Sequence, residues 1–420
     1  MRLARAHVSL PRRISRMTWK WFISRSVRQA HHAARHVQKL VHQQRDLLTP
    51  QAIDAVEADV AEVDRVCTTG DKASIREAIT KLEKTANKWL KPFPHAAWRE
   101  NVEVLLVAIA VAMAIRTFFL QPFKIPTGSM QPTLFGVTYE DLHEQPNVKI
   151  PTGLDAYVRY WFNGESYIRL EAKEGGPLRY EQPKKFVLFN WKQNYQIGNG
   201  PVRAIYFPPD QLFERARLAE GMEIKAGEEF IKMRVIAGDH LFVDRITYNF
   251  RKPTRGDIIV FETHGITTLA RDQQDTYYIK RLIGLGDEHV RIGDDRHVII
   301  DGKRLDASTP HFEFVYSFDP KQAPRDSEFS GHVNETIAQR YRRSFQQLAP
   351  HFLTETNEFI VPSKNFLAMG DNTMNSSDGR TWGSFPEEKV IGKSFFVYWP
   401  IGSAEYLGKE RSSRFGWAHR

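Results

Sequence analysis

A serine lies between prolines and a glycine in the segment Pro122–Leu134, which reads Pro-Phe-Lys-Ile-Pro-Thr-Gly-Ser-Met-Gln-Pro-Thr-Leu. The prolines restrict the backbone and the glycine permits a bend, so this segment predicts an extended, bent loop that exposes Ser129. A serine becomes a nucleophile only beside a base and beside donors for an oxyanion. Residues 149–154 repeat Lys-Ile-Pro-Thr-Gly but have Leu154 at the serine position, so the local pattern alone does not identify a nucleophile.

A second group that could do chemistry is Lys280, which lies inside the apolar run 277–285. This run is typical of a β-strand, and alternation would place Lys280 on the face opposite Ile279 and Arg281. Lysine acts as a base only when it is neutral; its ordinary pKa is about 10.4, and burial can lower that pKa by several units. Taken alone, the pattern describes equally well an ordinary lysine on the surface of a strand.

The third candidate is a dense polar turn at residues 370–380, which reads Gly-Asp-Asn-Thr-Met-Asn-Ser-Ser-Asp-Gly-Arg. By itself it indicates a hairpin loop or a cation site. The serine loop, the lysine strand and the polar turn are far apart along the chain. A site that uses all three must therefore be assembled by the fold.

An apolar segment directly precedes the serine loop. Val104–Ile115 is uninterrupted, and after Arg116 the apolar character resumes as far as Phe123. A membrane span needs about 20 residues, so residues 96–123 are predicted to form one transmembrane helix, the alternative being a buried helix of a soluble domain. The flank at 80–101 carries five Lys or Arg residues and the flank at 116–135 carries two. This asymmetry predicts a cytoplasmic N-terminus and a C-terminal part outside the cell membrane.

Beyond the apolar segment, short β-like runs alternate with Gly-Asp turns, for example around Leu241–Val243, Ile258–Phe261 and Val298–Ile300. Regular strands without intervening helices predict a mostly β domain, composed of residues 124–134 and 231–400. Residues 135–230 and 303–360 are less regular and are interpreted as two insertions. Residues 401–420 are interpreted as a C-terminal tail.

The region before the apolar segment, residues 1–95, is predicted to be helical, basic and cytoplasmic. Apolar residues at three- and four-residue spacings indicate three helices, with breaks at 49–50 and 69–71. The basic, aromatic stretch 1–24 is interpreted as an interfacial segment, with a disordered tail as the alternative. Three neighbouring histidines, at 31, 32 and 36, are interpreted as solvated side chains on a polar helix face rather than metal ligands.

Charge and cysteine content exclude several classes. The net charge is +9, but residues 1–50 alone carry eleven basic residues and one acidic residue, so the remainder is close to neutral. This distribution does not favour a nucleic-acid-binding protein, and it agrees with a basic terminus on the inner side of a membrane. The single cysteine, Cys67, excludes an intramolecular disulfide framework and a cysteine-based zinc site.

Taken in order behind an apolar segment, these motifs resemble the bacterial type I signal peptidase family. The resemblance covers four blocks, roughly 118–134, 238–262, 277–303 and 366–400, and does not cover residues 1–95 or 135–230. It implies a membrane-bound serine endopeptidase that removes signal peptides from exported preproteins with a Ser-Lys dyad and without a metal or organic cofactor. Its partners would be preproteins and the lipid bilayer, with no nucleic acid, and its location would be the inner membrane with the catalytic domain on the periplasmic side.

The resemblance also assigns roles to individual residues. Ser129 matches the nucleophile, Lys280 the general base and Ser376 the serine that orients the lysine. The backbone N–H of Ser129 and the hydroxyl of Thr127 would form the oxyanion hole. Two charged pairs, Asp371 with Arg281 and Asp378 with Arg380, match positions that stabilise the site. The positions that match the family's small-residue substrate pockets are Phe123, Ile125, Met130, Tyr278 and Ile279.

The chain departs from the family pattern at several positions. Thr127 replaces a serine, and its hydroxyl can still donate a hydrogen bond. Thr373 and Met374 replace an Arg-Asp pair and Gly379 replaces a serine, so the polar turn is expected to be weaker. These changes leave open a membrane-anchored binding protein with an inactive site. A soluble self-cleaving Ser-Lys regulator and a structural basic anchor that acts through residues 1–50 are further alternatives.

Overall fold

A computed structural model of the protein describes residues 24–69, 71–91, 96–145, 148–186, 189–269, 271–342, 346–402, 404–406, 409–411 and 414–417. The chain forms two compact units, Met1–Ala108 and Ile109–Arg420. The helices are α1 (Arg25–Gln43), α2 (Pro50–Thr69), α3 (Lys72–Trp89), α4 (Ala96–Phe118), α5 (Gly153–Asn163), α6 (Leu212–Arg215), α7 (Thr247–Phe250), α8 (Glu335–Tyr341) and α9 (Gly379–Trp382).

The strands of the second unit carry most of its fold. They are β1 (Leu120–Lys124), β2 (Thr138–Asp141), β3 (Glu165–Glu171), β4 (Gly176–Tyr180), β5 (Lys184–Phe186), β6 (Phe189–Ile197), β7 (Arg203–Tyr206), β8 (Glu223–Ile224), β9 (Glu229–Ile236), β10 (His240–Asp244), β11 (Ile258–Glu262), β12 (Tyr277–Gly284), β13 (His289–Ile292), β14 (Val298–Ile300), β15 (Lys303–Arg304), β16 (Phe359–Ile360), β17 (Asn365–Met369), β18 (Phe385–Pro386), β19 (Val390–Trp399), β20 (Ala404–Tyr406), β21 (Lys409–Arg411) and β22 (Gly416–Trp417). The predicted fold class, a mostly β domain behind an apolar helix and an N-terminal helical region, is confirmed.

The N-terminal unit contains three amphipathic helices, α1 to α3, whose apolar stripes form one buried core. Local signals determine where these helices begin. The Ser24 hydroxyl accepts from the N–H of Val27, and the Asp71 carboxylate caps α3. Pro50 begins α2, a position where its missing N–H removes no helical hydrogen bond. The interfacial segment predicted at 1–24 lies, except for Ser24, outside the described residues.

Helix α4 is long and apolar enough to cross a bilayer. Its segment Trp98–Phe118 has 21 residues and a mean hydropathy of 1.8, and none of it is buried. The prediction that the helix continues to Phe123 was wrong, because Leu120–Lys124 forms strand β1 and pairs with β10. Pro122 has no N–H to donate and disfavours helical backbone at the residue before it, so the chain leaves the helix before this point.

The central sheet of the second unit is antiparallel and positions the candidate site. Its strand order is β1-β10-β19-β11-β12-β17-β18, with β22 paired to β19. The strand that follows the apolar helix is thus at one edge, and the lysine strand β12 lies four strands away. Two apolar clusters pack on this sheet, one around Ile125, Met130 and Leu241 and the other around Phe261, Leu282 and Phe385.

The segment 135–230 is more regular than its sequence indicates. Strands β2, β9 and β3 form one small sheet, and β5, β6, β4, β8 and β7 form another, with a shared apolar cluster. Strand β9 pairs with β2 and β3, so the sheet of this segment extends to Ile236, past the predicted boundary at 230. Short strands with mixed polar and apolar residues give a weak alternating pattern, which explains why the sequence resembled an irregular insertion.

The segment 303–360 is packed into the domain rather than looped outside it. Phe312, Tyr316 and Phe352 are buried in one cluster with residues of β13, β14 and β17. Helix α8 is capped by the buried Asn334, whose side chain accepts from the N–H of Ile337. This packing brings the polar segment 324–334 close to the serine loop and the polar turn.

Candidate active site

Ser129 lies on a single 3-10 turn, Gly128–Met130, in the loop that follows β1. Thr127, the residue before this turn, has extended backbone, and the next apolar side chain, Met130, is fully buried. That buried side chain and the hydrogen bond from the N–H of Asn372 to the carbonyl of Ser129, at 3.1 Å, hold the turn against the protein. The Ser129 side chain is therefore in a fixed position and largely buried.

The amine of Lys280 contacts the hydroxyl of Ser129. Lys280 Nζ lies 2.7 Å from Ser129 Oγ and 3.1 Å from the carbonyl oxygen of Ile279. Strand β12 holds this lysine near the middle of the central sheet, where only 4% of it is exposed. The two residues are 151 positions apart in sequence, so the contact depends on the order of the strands and not on local chain geometry.

Burial changes the acid–base behaviour of this lysine. Desolvation disfavours the ammonium form and lowers the pKa of Lys280 to about 8, although the carboxylates of Asp378 and Asp371 oppose the shift. An ordinary lysine is almost wholly protonated at neutral pH, whereas a pKa of about 8 leaves a significant neutral fraction. A neutral amine 2.7 Å from a hydroxyl can accept its proton.

The Thr127 hydroxyl lies near that of Ser129. Its Oγ1 is 3.5 Å from Ser129 Oγ, at the outer limit of a hydrogen bond, and the residue is exposed. A donor here can reach an oxyanion that forms beside Ser129 without being committed to another strong partner. The oxyanion-hole assignment of Thr127 and the Ser129 N–H stays a prediction.

Ser376 is in the expected place but does not make the expected contact. Its Oγ is buried, and no hydrogen bond joins it to the amine of Lys280 among the described residues. The Ser376 hydroxyl instead contributes to lowering the pKa of Asp378. Gly370 explains how the polar turn approaches so closely: a Cβ at this position would lie 2.2 Å from Ser376 Oγ and 2.4 Å from the carbonyl of Ser129. Only glycine permits the two segments to meet at this distance.

Arg281 and Asp371 form a buried, two-pronged ion pair beside the site. The Nε and Nη2 atoms of Arg281 donate to the two carboxylate oxygens of Asp371 at 2.8 and 2.7 Å. Its Nη1 donates to the carbonyls of Gly256 and His311. Thr133, from the serine loop, donates its hydroxyl hydrogen to Asp371. The pair therefore ties strand β12, the polar turn and the serine loop to one another.

Asp378 and Arg380 form the second buried pair, at 2.8 Å. Burial alone would raise the pKa of Asp378, but the charge and hydrogen bonds of Arg380 outweigh burial and lower it. Thr373, a departure from the family pattern, takes part here. Its hydroxyl accepts from Arg380 at 2.8 Å and from the N–H of Val333 at 2.9 Å. Thr373 therefore bonds both to Arg380 within the turn and to segment 324–334, while the expected weakening of the turn stays a prediction.

The predicted substrate positions divide into two groups. Phe123, Tyr278 and Ile279 are partly exposed, and the amine of Lys280 lies 5.3 Å from the ring centroid of Tyr278. Ile125 and Met130 are buried in the cluster behind the serine loop. The first group is accessible to a peptide, whereas the second packs behind the serine loop and supports it. The substrate assignment of all five stays a prediction.

Sequence reasoning missed a set of hydrogen bonds, here called the brace, that joins segment 303–360 to the serine loop and the polar turn. The side-chain amide of Asn372 donates to the Asp326 carboxylate and, at 3.0 Å, to the carbonyl of Gly128. The Ser327 hydroxyl, on a residue with φ of 62°, donates to Gln131 at 2.8 Å. Asp326 and Ser327 belong to no recognisable motif, and only Asn372, inside the polar turn, carried a signal that could have revealed the contact.

Replacing Asp326 with alanine should loosen the serine loop without removing a reacting group. The amide of Asn372 would lose a charge-assisted hydrogen bond, which typically contributes about 1.5–3 kcal/mol. We expect a lower melting temperature and a peptide-cleavage kcat that falls by about tenfold, equivalent to 1.4 kcal/mol of transition-state stabilisation. Asp319→Ala, an exposed residue of the same segment, is the matched control. Equal kcat values for the two variants would contradict the bracing role.

Known proteins resemble this chain in sequence. A family model described as signal peptidase, peptidase S26, matches residues 98–139 and 220–399, just over half of the chain. The unmatched gap falls inside the segment 135–230. The two matched parts contain the serine loop, strand β12 and the polar turn.

Individual relatives are moderately similar. The signal peptidase I of Haemophilus influenzae is 27% identical over 285 residues, which cover 56% of this chain and 80% of that enzyme. The signal peptidase I of Leptolyngbya laminosa is 29% identical over 170 residues, which cover 40% of this chain and 64% of that enzyme, slightly under two thirds. A crystal structure of a signal peptidase I from Enterococcus faecalis is 23% identical and covers 34% of this chain and 97% of that chain; its TM-score of 0.21 is too low to support a structural argument.

Proposed function

Because this chain belongs to the signal peptidase family, peptidase S26, and is a hydrolase of that class, we propose that it removes N-terminal signal peptides from preproteins with the dyad Ser129 and Lys280. The observation that carries the dyad is the 2.7 Å separation of Lys280 Nζ and Ser129 Oγ inside a buried site. The two charged pairs and the brace from Asp326 support the proposal, because they tie the serine loop, strand β12 and the polar turn together and so keep the two reacting groups in contact.

In the first step Ser129 Oγ attacks the scissile carbonyl carbon while neutral Lys280 takes the hydroxyl proton. The tetrahedral oxyanion is stabilised by the backbone N–H of Ser129 and the hydroxyl of Thr127. Lys280, now an ammonium, protonates the leaving amine as the peptide bond breaks, and an acyl-enzyme ester remains. In the second step Lys280 takes a proton from water, the hydroxide attacks the ester, and the proton returns to Ser129 as the signal peptide leaves.

The proposal includes membrane anchoring by helix α4. Its 21-residue apolar segment has no buried residue, and basic residues concentrate on its N-terminal side. These features favour a cytoplasmic N-terminal unit and a catalytic domain on the outer face of the inner membrane. A signal peptide has an apolar segment followed by small residues at the cleavage site. An active site that directly follows the membrane-spanning helix α4 would therefore meet this cleavage site at the bilayer surface.

The substrate proposal can be tested with the full chain reconstituted in lipid vesicles and a preprotein that carries an Ala-x-Ala site. We expect one cut directly after this site, identified by mass spectrometry of the released mature protein. Replacing the last alanine of the preprotein site with phenylalanine should abolish the cut, because shallow pockets beside an extended peptide accept only small side chains. Cleavage that is indifferent to this substitution, or absent from the unmodified preprotein, would contradict the proposal.

The pH dependence of cleavage follows from the state of Lys280. Its pKa is lowered to about 8 by burial, and only the neutral amine can act as the base. Activity should therefore be low below neutral pH, rise through half of its maximum near pH 8, and level off above that. A pH series of kcat/KM on a short soluble peptide reports the pKa of the free enzyme. A profile that is flat between pH 5 and pH 9, an interval of about four units, would exclude a lysine base.

A further inference from the structure

Helix α5, inside the segment that the family model does not match, exposes a continuous apolar stripe. Leu154, Tyr157, Val158, Trp161 and Phe162 follow the i, i+3, i+4, i+7, i+8 spacing of a single helix face. All five are exposed, from 43% for Val158 to 76% for Leu154, and the helix has no buried residue. A contiguous apolar stripe of this kind is uncommon on the water-facing surface of a soluble domain and indicates a contact surface.

The orientation of this stripe is set by the central sheet. The indole N–H of Trp399, at the end of β19, donates to the carbonyl of Trp161 at 2.7 Å. The N–H groups of Ile401 and Gly402 donate to the carbonyl of Phe162 at 2.9 and 2.6 Å. Carbonyls at the end of a helix lack partners within the helix, so these three bonds attach α5 firmly to the domain.

The helix ends in a cap that reinforces the attachment. Gly164 has a left-handed backbone with φ of 71°, and its N–H donates to the carbonyl of Tyr160 at 2.9 Å. A Cβ at this position would lie 2.7 Å from Pro400, so a larger residue would push the helix away from the sheet. The backbone of α5 is thus held against the sheet on one side of the helix, while its apolar side chains are exposed on the other.

The attachment point of α5 is close to the place where the apolar helix α4 ends. Lys124 in β1 is opposite His240 in β10, and His240 is opposite Trp399 in β19. At about 4.8 Å between strands and 3.4 Å between residues, Trp399 lies roughly 17 Å from Leu120, the second residue after α4. Phe118 and Phe119, at the end of α4, are exposed apolar residues as well. The two apolar surfaces are therefore attached to the same sheet.

The residue types of the stripe indicate which partner it fits. Tyrosine and tryptophan concentrate at the boundary between lipid headgroups and acyl chains, because their rings are apolar at one end and polar at the other. Asp155 and Arg159, both exposed, flank the stripe on one side and form an ion pair with each other. A short helix with an aromatic face and charged residues along one edge of that face is typical of a segment that lies in the plane of the interface.

We propose that α5 is an interfacial helix whose stripe enters the headgroup region of the outer leaflet and holds the catalytic domain against the bilayer. This inference rests on the proposed function in one respect, the anchoring of the chain by α4. A single span fixes where the domain is tethered but not its tilt. A second contact with the bilayer, made by α5, would fix the tilt of the domain. It would also keep the active site at the same height above the bilayer as the cleavage site of the preprotein.

The experiment uses the full chain with one reporter cysteine at a time, since the native Cys67 is buried and slow to label. Leu154→Cys and Tyr157→Cys report on the stripe, Arg159→Cys on the charged side of the same helix, and Met113→Cys on α4. Each variant is labelled with an environment-sensitive fluorophore and reconstituted in phosphatidylethanolamine–phosphatidylglycerol vesicles. Lipids with nitroxides at two depths then quench the label.

We expect labels at 154 and 157 to be quenched by the shallow nitroxide, the label at 113 by the deep one, and the label at 159 by neither. Equal quenching at 154 and 159 together with strong quenching at 113 would overturn the interfacial helix and leave the anchor intact. Absence of quenching at 113 would overturn the anchor itself. Energy transfer between labels at 154 on different chains, without lipid quenching, would assign the stripe to a second copy and overturn the proposal.

A second measurement tests what the contact does. In the double variant Leu154→Ser and Tyr157→Ser, cleavage of a vesicle-inserted preprotein should slow several-fold, while cleavage of a short soluble peptide keeps the wild-type rate. Both positions are exposed, so the variant should fold normally. Equal slowing on both substrates would indicate damage to the active site, and unchanged cleavage of the preprotein would exclude a role for α5 in presenting it. Either result contradicts the proposed role.

Discussion

Replacing Lys280 with methionine is expected to reduce preprotein cleavage by about 10⁴-fold or more, the scale at which removal of one member of a catalytic unit usually acts. Methionine fills much of the same volume but cannot accept the proton of Ser129. The loss corresponds to about 5.5 kcal/mol of transition-state stabilisation. The measurement is kcat/KM on a preprotein and on a short peptide, so that a loss of chemistry is distinguished from a loss of substrate access.

The fold should survive this substitution. Lys280 Nζ contacts only Ser129 Oγ and the carbonyl of Ile279 among the hydrogen-bond partners described, and a buried thioether removes the unfavourable burial of a charge. Lys280→Arg should be equally inactive, because a guanidinium cannot lose its proton in this pH range. The matched control is Lys303→Met, an exposed lysine of β15, which should cleave like the wild type. Retained cleavage by Lys280→Met would refute the dyad.

Ser129→Ala should show the same loss, and the double variant should be no worse than either single variant. Groups that act as one unit in a single step give strongly non-additive effects. If the losses of the two single variants instead multiplied in the double variant, the serine and the lysine would have to act in independent steps, which the 2.7 Å contact argues against.

The second large effect is on stability. Asp371→Ala should destabilise the catalytic domain by about 3–5 kcal/mol, because it leaves the guanidinium of Arg281 buried without its partner. Both side chains are at most 2% exposed, and the pair makes two parallel hydrogen bonds. Removing Asp371 also removes the hydrogen bond between the Thr133 hydroxyl and this carboxylate. Urea unfolding of the detergent-solubilised chain, followed by tryptophan fluorescence, measures the change.

The control for this prediction is a solvent-exposed ion pair. Lys252 and Glu387 lie 3.7 Å apart, and the lysine is largely exposed. Lys252→Ala should change the free energy of unfolding by less than about 1 kcal/mol. Replacing both partners of the buried pair, as in Arg281→Met with Asp371→Leu, should be less harmful than Asp371→Ala alone, because no unpaired charge remains. If Asp371→Ala and Lys252→Ala were equally stable, the buried pair would have no special structural role.

Several features of this protein could be read from adjacent residues. The apolar run that begins near Val104, the prolines around the serine loop and the alternation around Lys280 are local patterns, and local patterns predict local structure. Three helices in the N-terminal unit, one apolar helix and a mostly β domain followed from them. The candidate residues Ser129 and Lys280 also came from short motifs, because a reactive side chain and its backbone setting lie within a few positions of each other.

Errors in the prediction arose where long-range pairing overrode a local pattern. The apolar character after Arg116 continues to Phe123, yet β1 takes residues 120–124 because their backbone groups find partners in β10. Strand β9 joins the sheet of segment 135–230 in the same way. Ser376 is placed beside the site by the motif, but no hydrogen bond joins its hydroxyl to the amine of Lys280 among the described residues.

The sequence by itself determined which side chains could react, that the N-terminal region would be helical and that the domain after the apolar helix would be mostly β, since these depend on residues close together in the chain. Only the tertiary structure decided that Ser129 and Lys280 meet at 2.7 Å, that burial depresses the pKa of the lysine, and that Asp326 braces the serine loop. Distance and burial depend on strand order and on packing contributed by dozens of residues scattered along the chain. No single motif contains that information, because each contact adds only a small part of the free energy that holds the groups together.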